Sequence, residues 1–190
     1  MIDKAIKFAA SAHEGMKRKG FGQPYIFHPL EVLSLASLVT DDEDVLTAAV
    51  LHDTVEDAGI KIEDIRSEFN DRVANLVGYE TENKRGNVNK ADTWLDRKKE
   101  AIDCLQSCED IGAKIVALCD KVSNLRSFHL LILRDGEAAW DNFNQKDPKM
   151  HYWYYNSIKD ALSELKDSVV YMEYCHLLDT IFSKYLKEGE

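Results

Sequence analysis

The sequence predicts an all-α fold in one domain spanning 1–190. Apolar residues recur with a helical period through long stretches. Only three prolines and nine glycines interrupt the 190 residues. No sustained alternation of apolar and polar residues lies between hairpin turns. A first helix is expected over 2–16, where Ile2, Ile6, Phe8, Ala9 and Ala12 favour one face. Residues 17–27 read as a loop. A second helix opens near His28-Pro29, since proline is tolerated in a first turn. A third is expected over 42–57, its leading acids suiting the helix dipole. Two shorter helices follow at 61–70 and 71–82. The segment ENKRGNVNKAD is too polar for a core. Helices resume at 93–107, 110–135, 148–165 and 168–187.

Composition narrows the function classes. Hydrophobic residues make up 45%, as in globular proteins generally. No apolar run nears the ~18 residues that suggest a membrane span, and the N-terminal stretch is too weakly apolar for a secretory signal. The four cysteines, Cys104, Cys108, Cys119 and Cys175, lack C-x-x-C spacing. They are expected to be buried, reduced thiols of a cytoplasmic protein, Cys104 and Cys108 packing in the core at i, i+4. The net charge of −10 argues against a nucleic-acid partner. It is unevenly spread: residues 41–80 carry −9, between blocks of +2 at 1–40 and +3 at 81–99. Such runs are commonly solvated faces.

The chemistry concentrates at one dipeptide. His52-Asp53 follows the apolar run AAVL, and Glu56 and Asp57 follow within one turn. Three carboxylates that close repel one another unless a cation sits among them. A polar helix face is the other reading, and these residues alone leave both open. His28 stands at a helix start, where a lone histidine is commonly a surface residue. Asp120 interrupts AKIVALCDKVSNL at the edge of an apolar face, with Asn124 one turn later; it too could simply cap a neighbouring helix. Taken together, His28, His52, Asp53 and Asp120 offer two imidazoles and two carboxylates. That mixed set suits Mn²⁺, Fe²⁺ or Zn²⁺ better than Mg²⁺ or Ca²⁺.

The order H…HD…D resembles the HD-domain metal-dependent phosphohydrolases. The segments AHEGMKRKGFGQPYIFHPLEV, AAVLHDTVEDAGIKIEDIRSEFNDRVANLV and KIVALCDKVSNLRS resemble the hydrolase domain of RelA/SpoT-type alarmone enzymes. The length leaves no room for the synthetase and regulatory domains of the large members, so the chain is similar to a stand-alone small alarmone hydrolase. The resemblance runs over 1–135 and continues weakly through HYWYYNSIKDAL.

The resemblance implies a helical bundle with a mononuclear metal site. It implies one Mn²⁺, with Fe²⁺ or Zn²⁺ less favoured, held by His28, His52, Asp53 and Asp120. Glu56 and Asp57 would orient or deprotonate the attacking water. Lys17, Arg18 and Lys19 would meet phosphates or stack on a base. Asn124 and Arg126 would line the nucleotide site, and Arg97 or Lys98 would contact the remote pyrophosphate. Lys84 and Arg85 receive no role. One of Tyr152, Tyr154 and Tyr155 would close over the substrate, although aromatic clusters commonly belong to cores.

The implied activity is hydrolysis of guanosine 3′,5′-bis(diphosphate), or its pentaphosphate, to GDP or GTP and pyrophosphate. Other readings are a phosphatase acting on a nucleotide such as NADPH, and a non-catalytic alarmone-binding or antitoxin module. The implied partner is a small nucleotide, not a membrane or nucleic acid, and a homodimer is compatible. Two segments depart from the family text: Tyr79 to Lys84 carries an extra acid, and Asp120-Lys121-Val122-Ser123-Asn124 replaces D-K-L-x-N. Neither removes a metal ligand. Both bear on substrate preference.

Overall fold

A computed structural model describes residues 1–81 and 91–186. Among these residues the chain forms α1 (Ile2–Ala12), α2 (Phe27–Ala36), α3 (Glu43–Leu51), α4 (Thr54–Ala58), α5 (Ile62–Glu68), α6 (Asp71–Glu80), α7 (Trp94–Ser107), α8 (Ile111–Asp135), α9 (Pro148–Ala161) and α10 (Val169–Leu186). No strand forms among them; the single β-like feature is an isolated antiparallel bridge between Lys17 and Pro24. Among the described residues no helix is long and apolar enough to cross a membrane. The all-α expectation is therefore met.

Helix starts follow local chemistry. Asp42, Asn70, Asp110 and Asp147 each accept a hydrogen bond from a first-turn backbone N–H, at 2.8–3.0 Å. Pro148 sits where the missing N–H costs nothing. The 25-residue α8 is the central rod. It packs against α2, α3, α6 and α10, with Val116, Leu118, Cys119, Val122 and Leu125 buried in the core. Its first turn presses on α3: a Cβ added at Gly112 would lie 2.7 Å from Val45 Cγ2.

Three elements differ from the expectation by more than two residues. α1 ends at Ala12 rather than at 16. The helix expected over 148–165 stops at Ala161 and continues as a short 3-10 turn, Ser163–Leu165. A second 3-10 segment, Gly136–Asn142, follows α8 directly. The third difference matters most. The single helix expected over 42–57 is two, broken at His52-Asp53. There the Thr54 hydroxyl donates to the Leu51 carbonyl at 2.6 Å, and His52 Nδ1 lies 2.9 Å from the Ala49 carbonyl. Side chains thus take carbonyls that the next helical turn would use. Gly59, at φ 71°, ends α4, and Ile60 N–H reaches back to the Thr54 carbonyl.

The cysteine expectation is met at Cys108 and Cys119, which are buried, and all four thiols are free. Cys104 corrects it: this thiol is exposed, because α7 turns Ile102 and Leu105 inward instead. Cys175 is half-buried.

Candidate metal centre and its cavity

The break at His52-Asp53 turns two consecutive side chains toward one point. His52 Nε2 and Asp53 Oδ2 lie 3.2 Å apart. His28, from the first turn of α2, brings its Nε2 to 3.3 Å from both. Asp120, midway along α8, places Oδ1 at 3.1 Å from His28 Nε2 and 3.5 Å from His52 Nε2. His28, His52 and Asp120 are buried.

Hydrogen bonds orient both imidazoles. A carbonyl can only accept, so His52 donates from Nδ1 to Ala49. In the neutral ring Nε2 then carries a lone pair. His28 Nδ1 lies 2.8 Å from Ser123 Oγ. With both Nε2 atoms unprotonated, two lone pairs at 3.3 Å beside two carboxylate oxygens call for a positive charge between them, a proton or a cation. Metal–ligand bonds of about 2.0–2.2 Å give ligand–ligand edges of roughly 2.8–3.6 Å in octahedral or tetrahedral geometry, the spacing seen among His28, His52 and Asp120, whose ligand atoms form one mutually close group; Asp53 adds an oxygen beside the two imidazoles. The donor set therefore fits a divalent cation.

The electrostatics agree. Burial disfavours the His52 imidazolium, but Asp53 and Asp120 outweigh it and hold its pKa well above 6.5. Burial would raise the two carboxyls; for Asp53 the histidines outweigh it, and for Asp120 Lys121 and the histidines do. Both stay well below the usual range. Lys121 Nζ donates to Asp120 Oδ2 at 2.6 Å and to Glu80 Oε2 at 3.2 Å. Asn124 Nδ2 donates to Asp120 Oδ1 at 2.8 Å. Glu80, one of the two acids of the Tyr79–Lys84 segment, thus serves as counter-charge to Lys121, and burial raises its pKa.

A cavity of about 550 Å³ opens over this centre. His28, Asp53, Glu56, Asp57 and Asp120 line its acidic end. Lys17, Arg18, Lys19, Arg97 and Lys98 also line it. One face of α8 forms a wall with Asp120, Asn124, Ser127, Phe128 and Leu131. The basic triplet is held by a loop folded back on itself, with Arg18 N–H donating to Gln23 and Tyr25 N–H to Met16. Gly20 allows the fold: its φ is 81°, and a Cβ there would lie 2.6 Å from Leu131. Arg18 Nη2 donates to Asn124 Oδ1 at 2.5 Å, tying the loop to α8. Lys98 Nζ lies 4.7 Å from the centre of the Tyr154 ring. Tyr154 and Tyr155 line the cavity from buried positions, whereas Tyr152 does not line it.

One expected site residue is elsewhere. Arg126 does not line the cavity; its guanidinium pairs with Glu173 on α10, at 2.6 and 2.8 Å, and with Glu31 on α2, at 2.8 Å. Six residues on from Asp120, it is turned about 120° from that face, whereas Asn124 is turned about 40°. Lys84 and Arg85 lie outside the described residues. Sequence reasoning also missed Tyr25, whose hydroxyl lies 2.7 Å from Asp53 Oδ2 and 2.8 Å from Asp57 Oδ2. Its place three residues before His28 was the available signal. His13 lies against the Tyr25 ring, 4.9 Å between centres, and burial lowers its pKa.

Residues 5–139 match the family described as HD domain. Among curated proteins, the chain is 34% identical over 176 residues to a guanosine-3′,5′-bis(diphosphate) 3′-pyrophosphohydrolase of Aquifex aeolicus, covering 90% of this chain and 24% of that protein. It is 31% identical over 171 residues to a GTP pyrophosphokinase of Streptomyces coelicolor, covering 90% of this chain and 20% of the relative. The chain thus spans about a fifth to a quarter of these relatives. A solved structure described as a metazoan ortholog of SpoT that hydrolyzes ppGpp superimposes with a TM-score of 0.76 at 26% identity, covering 97% of this chain and 94% of that one. The matched span contains the helix break and both helices that bring ligands to it, and the chain belongs to the HD-domain family.

Proposed function

We propose that the chain is a metal-dependent 3′-pyrophosphohydrolase of guanosine 3′,5′-bis(diphosphate), with Mn²⁺ as its cation. The observation that carries this reading is the close group of His28, His52 and Asp120, with Asp53 beside both imidazoles, below a cavity lined by six cationic side chains. His28, His52, Asp53 and Asp120 would hold the cation, which supplies Lewis-acid polarisation of the phosphoryl oxygens. Asp57 and Glu56 stand where a carboxylate can take the proton of an attacking water. Tyr25 holds Asp57 against Asp53. Lys17, Arg18 and Lys19, with Arg97 and Lys98, offer charge to two separated phosphate groups. Asn124, bonded to both Asp120 and Arg18, lies between them.

Relatives named for hydrolysis and for synthesis both match over a fraction of their length. A pyrophosphohydrolase is favoured because the cavity joins a metal-type donor set to two carboxylates fit for proton transfer. The SpoT-like structure, covered almost end to end, supports the same substrate. The test is incubation of purified protein with guanosine 3′,5′-bis(diphosphate) and Mn²⁺, beside NADPH, with the Asp120→Ala protein as blank. Release of pyrophosphate and GDP is expected. No release with the cation demonstrably bound overturns the reading; turnover of NADPH alone favours a nucleotide phosphatase, and binding without turnover a non-catalytic module.

A further inference from the structure

The two histidines at the centre are oriented by different means. His52 is fixed by a backbone carbonyl of its own helix, which no substitution removes. His28 is fixed by a side chain from another helix, Ser123 of α8. Ser123 is buried, and its Oγ has two neighbours: His28 Nδ1 at 2.8 Å and Glu31 Oε2 at 2.6 Å. A hydroxyl has one proton to give. Donated to Glu31, that proton leaves the oxygen lone pairs to accept from His28 Nδ1–H. His28 Nε2 is then the nitrogen left to meet a cation.

Glu31 is itself held. Its other oxygen, Oε1, accepts from Arg126 Nη1 at 2.8 Å. Arg126 grips Glu173 of α10 through Nε and Nη2 at 2.6 and 2.8 Å. A continuous line therefore runs from α10 through α8 and α2 to the centre: Glu173, Arg126, Glu31, Ser123, His28.

We propose that Ser123 and Glu31, anchored by Arg126, are positioning residues that fix the orientation and protonated nitrogen of His28 and so set the affinity of the centre for its cation. This rests on the metal reading of the site. It also gives Arg126 a task that does not involve the nucleotide. Outer partners of ligating histidines commonly carry 10- to 100-fold in metal affinity.

The test is cation binding by the full chain, read by the visible absorption of Co²⁺ and by the loss of the free Mn²⁺ electron-spin signal. Ser123→Ala leaves His28 Nδ1 buried without its partner. Glu31→Gln keeps the volume but lets an amide donate to Ser123, which turns the serine proton toward His28 and favours the wrong tautomer. Each is expected to weaken binding by about 10- to 100-fold, and Arg126→Ala by a smaller factor. At saturating Mn²⁺ the nucleotide KM should stay within about twofold of the parent in all three, as for loss of cation binding rather than of substrate contacts.

Parent-like cation affinity in a folded Ser123→Ala protein overturns the proposal. If that variant does not fold, Glu31→Gln decides in the same way. A raised KM in Arg126→Ala with unchanged cation affinity also overturns it, by placing Arg126 with the substrate. Failure of the parent protein to bind any cation is a separate result and overturns the metal reading itself.

Discussion

The hydroxyl of Tyr25 stands 2.8 Å from Oδ2 of Asp57 and shares its one proton between that carboxylate and Asp53. A candidate metal ligand and a candidate proton acceptor are therefore spaced by a single oxygen. Tyr25→Phe keeps the ring packed against His13 and His28 but removes the hydroxyl that holds Asp57 beside Asp53. We expect kcat to fall by about 10- to 100-fold, as for a misplaced general base, with KM and bound Mn²⁺ near those of the parent. A loss confined to KM would show that Tyr25 acts on the substrate.

Glu56 and Asp57 line the cavity without belonging to the converging donor set. Asp57→Asn should lower kcat by about 10²- to 10⁴-fold, the range for removal of a general acid or base, and retain the cation. Glu56→Gln should act in the same direction. Metal content by elemental analysis, alongside turnover, separates this outcome from loss of the ion.

Cation binding should strengthen as pH rises. In the cation-free protein Asp53 and Asp120 outweigh burial and keep His52 protonated well above pH 6.5. The incoming ion must displace that proton. Apparent Mn²⁺ affinity should rise by up to about tenfold per pH unit where one proton is released, as measured by titration at about pH 6 and about pH 8. A chelator should abolish turnover, and added Mn²⁺ should restore it.

Arg18 joins the basic loop to Asn124 on the α8 wall at 2.5 Å. Arg18→Ala removes a charged partner for phosphate as well as this tie. Steady-state kinetics should show KM raised by about tenfold or more, the loss expected for one charge-assisted hydrogen bond, with a smaller change in kcat.

Acid should weaken the fold through His151. This buried ring stacks on Trp140 at 5.1 Å and lies 2.8 Å from the Gln145 carbonyl. Burial lowers its pKa from 6.5. Below pH 6.5 the unfolded chain therefore binds a proton that the folded chain resists, so stability present above that pH is lost as pH falls. Denaturant unfolding should show a shallower decline in stability below pH 6.5 for His151→Phe than for the parent. Equal slopes would show that His151 titrates alike in both states.

Much of this was legible in the sequence because helices and their caps are local. Asp42, Asn70, Asp110 and Asp147 mark starts that the structure keeps. The break at His52-Asp53 was not legible, since the apolar period of α3 runs up to it and the interruption comes from two side chains bonding backward. Arg126 was misplaced because a motif gives order along the chain, whereas its direction depends on the turn of α8 and on acids from α2 and α10. Ser123 carries no signal in its residue type and Tyr25 only its place three residues before His28; distance shows which side chains each hydroxyl joins.

The length of α8 has a further consequence. Asp120, Asn124, Ser127, Phe128 and Leu131 all face one cavity, so the acidic end and the apolar end are graduated along a single rod. At 1.5 Å per residue, Asp120 and Leu131 lie about 16 Å apart. The length of ligand that can touch both is thus written in backbone geometry, and side-chain substitutions can change what is gripped without changing that span. One residue inserted between Asn124 and Ser127 would swing the far marks by about 100°, leaving the acidic end intact but measuring nothing.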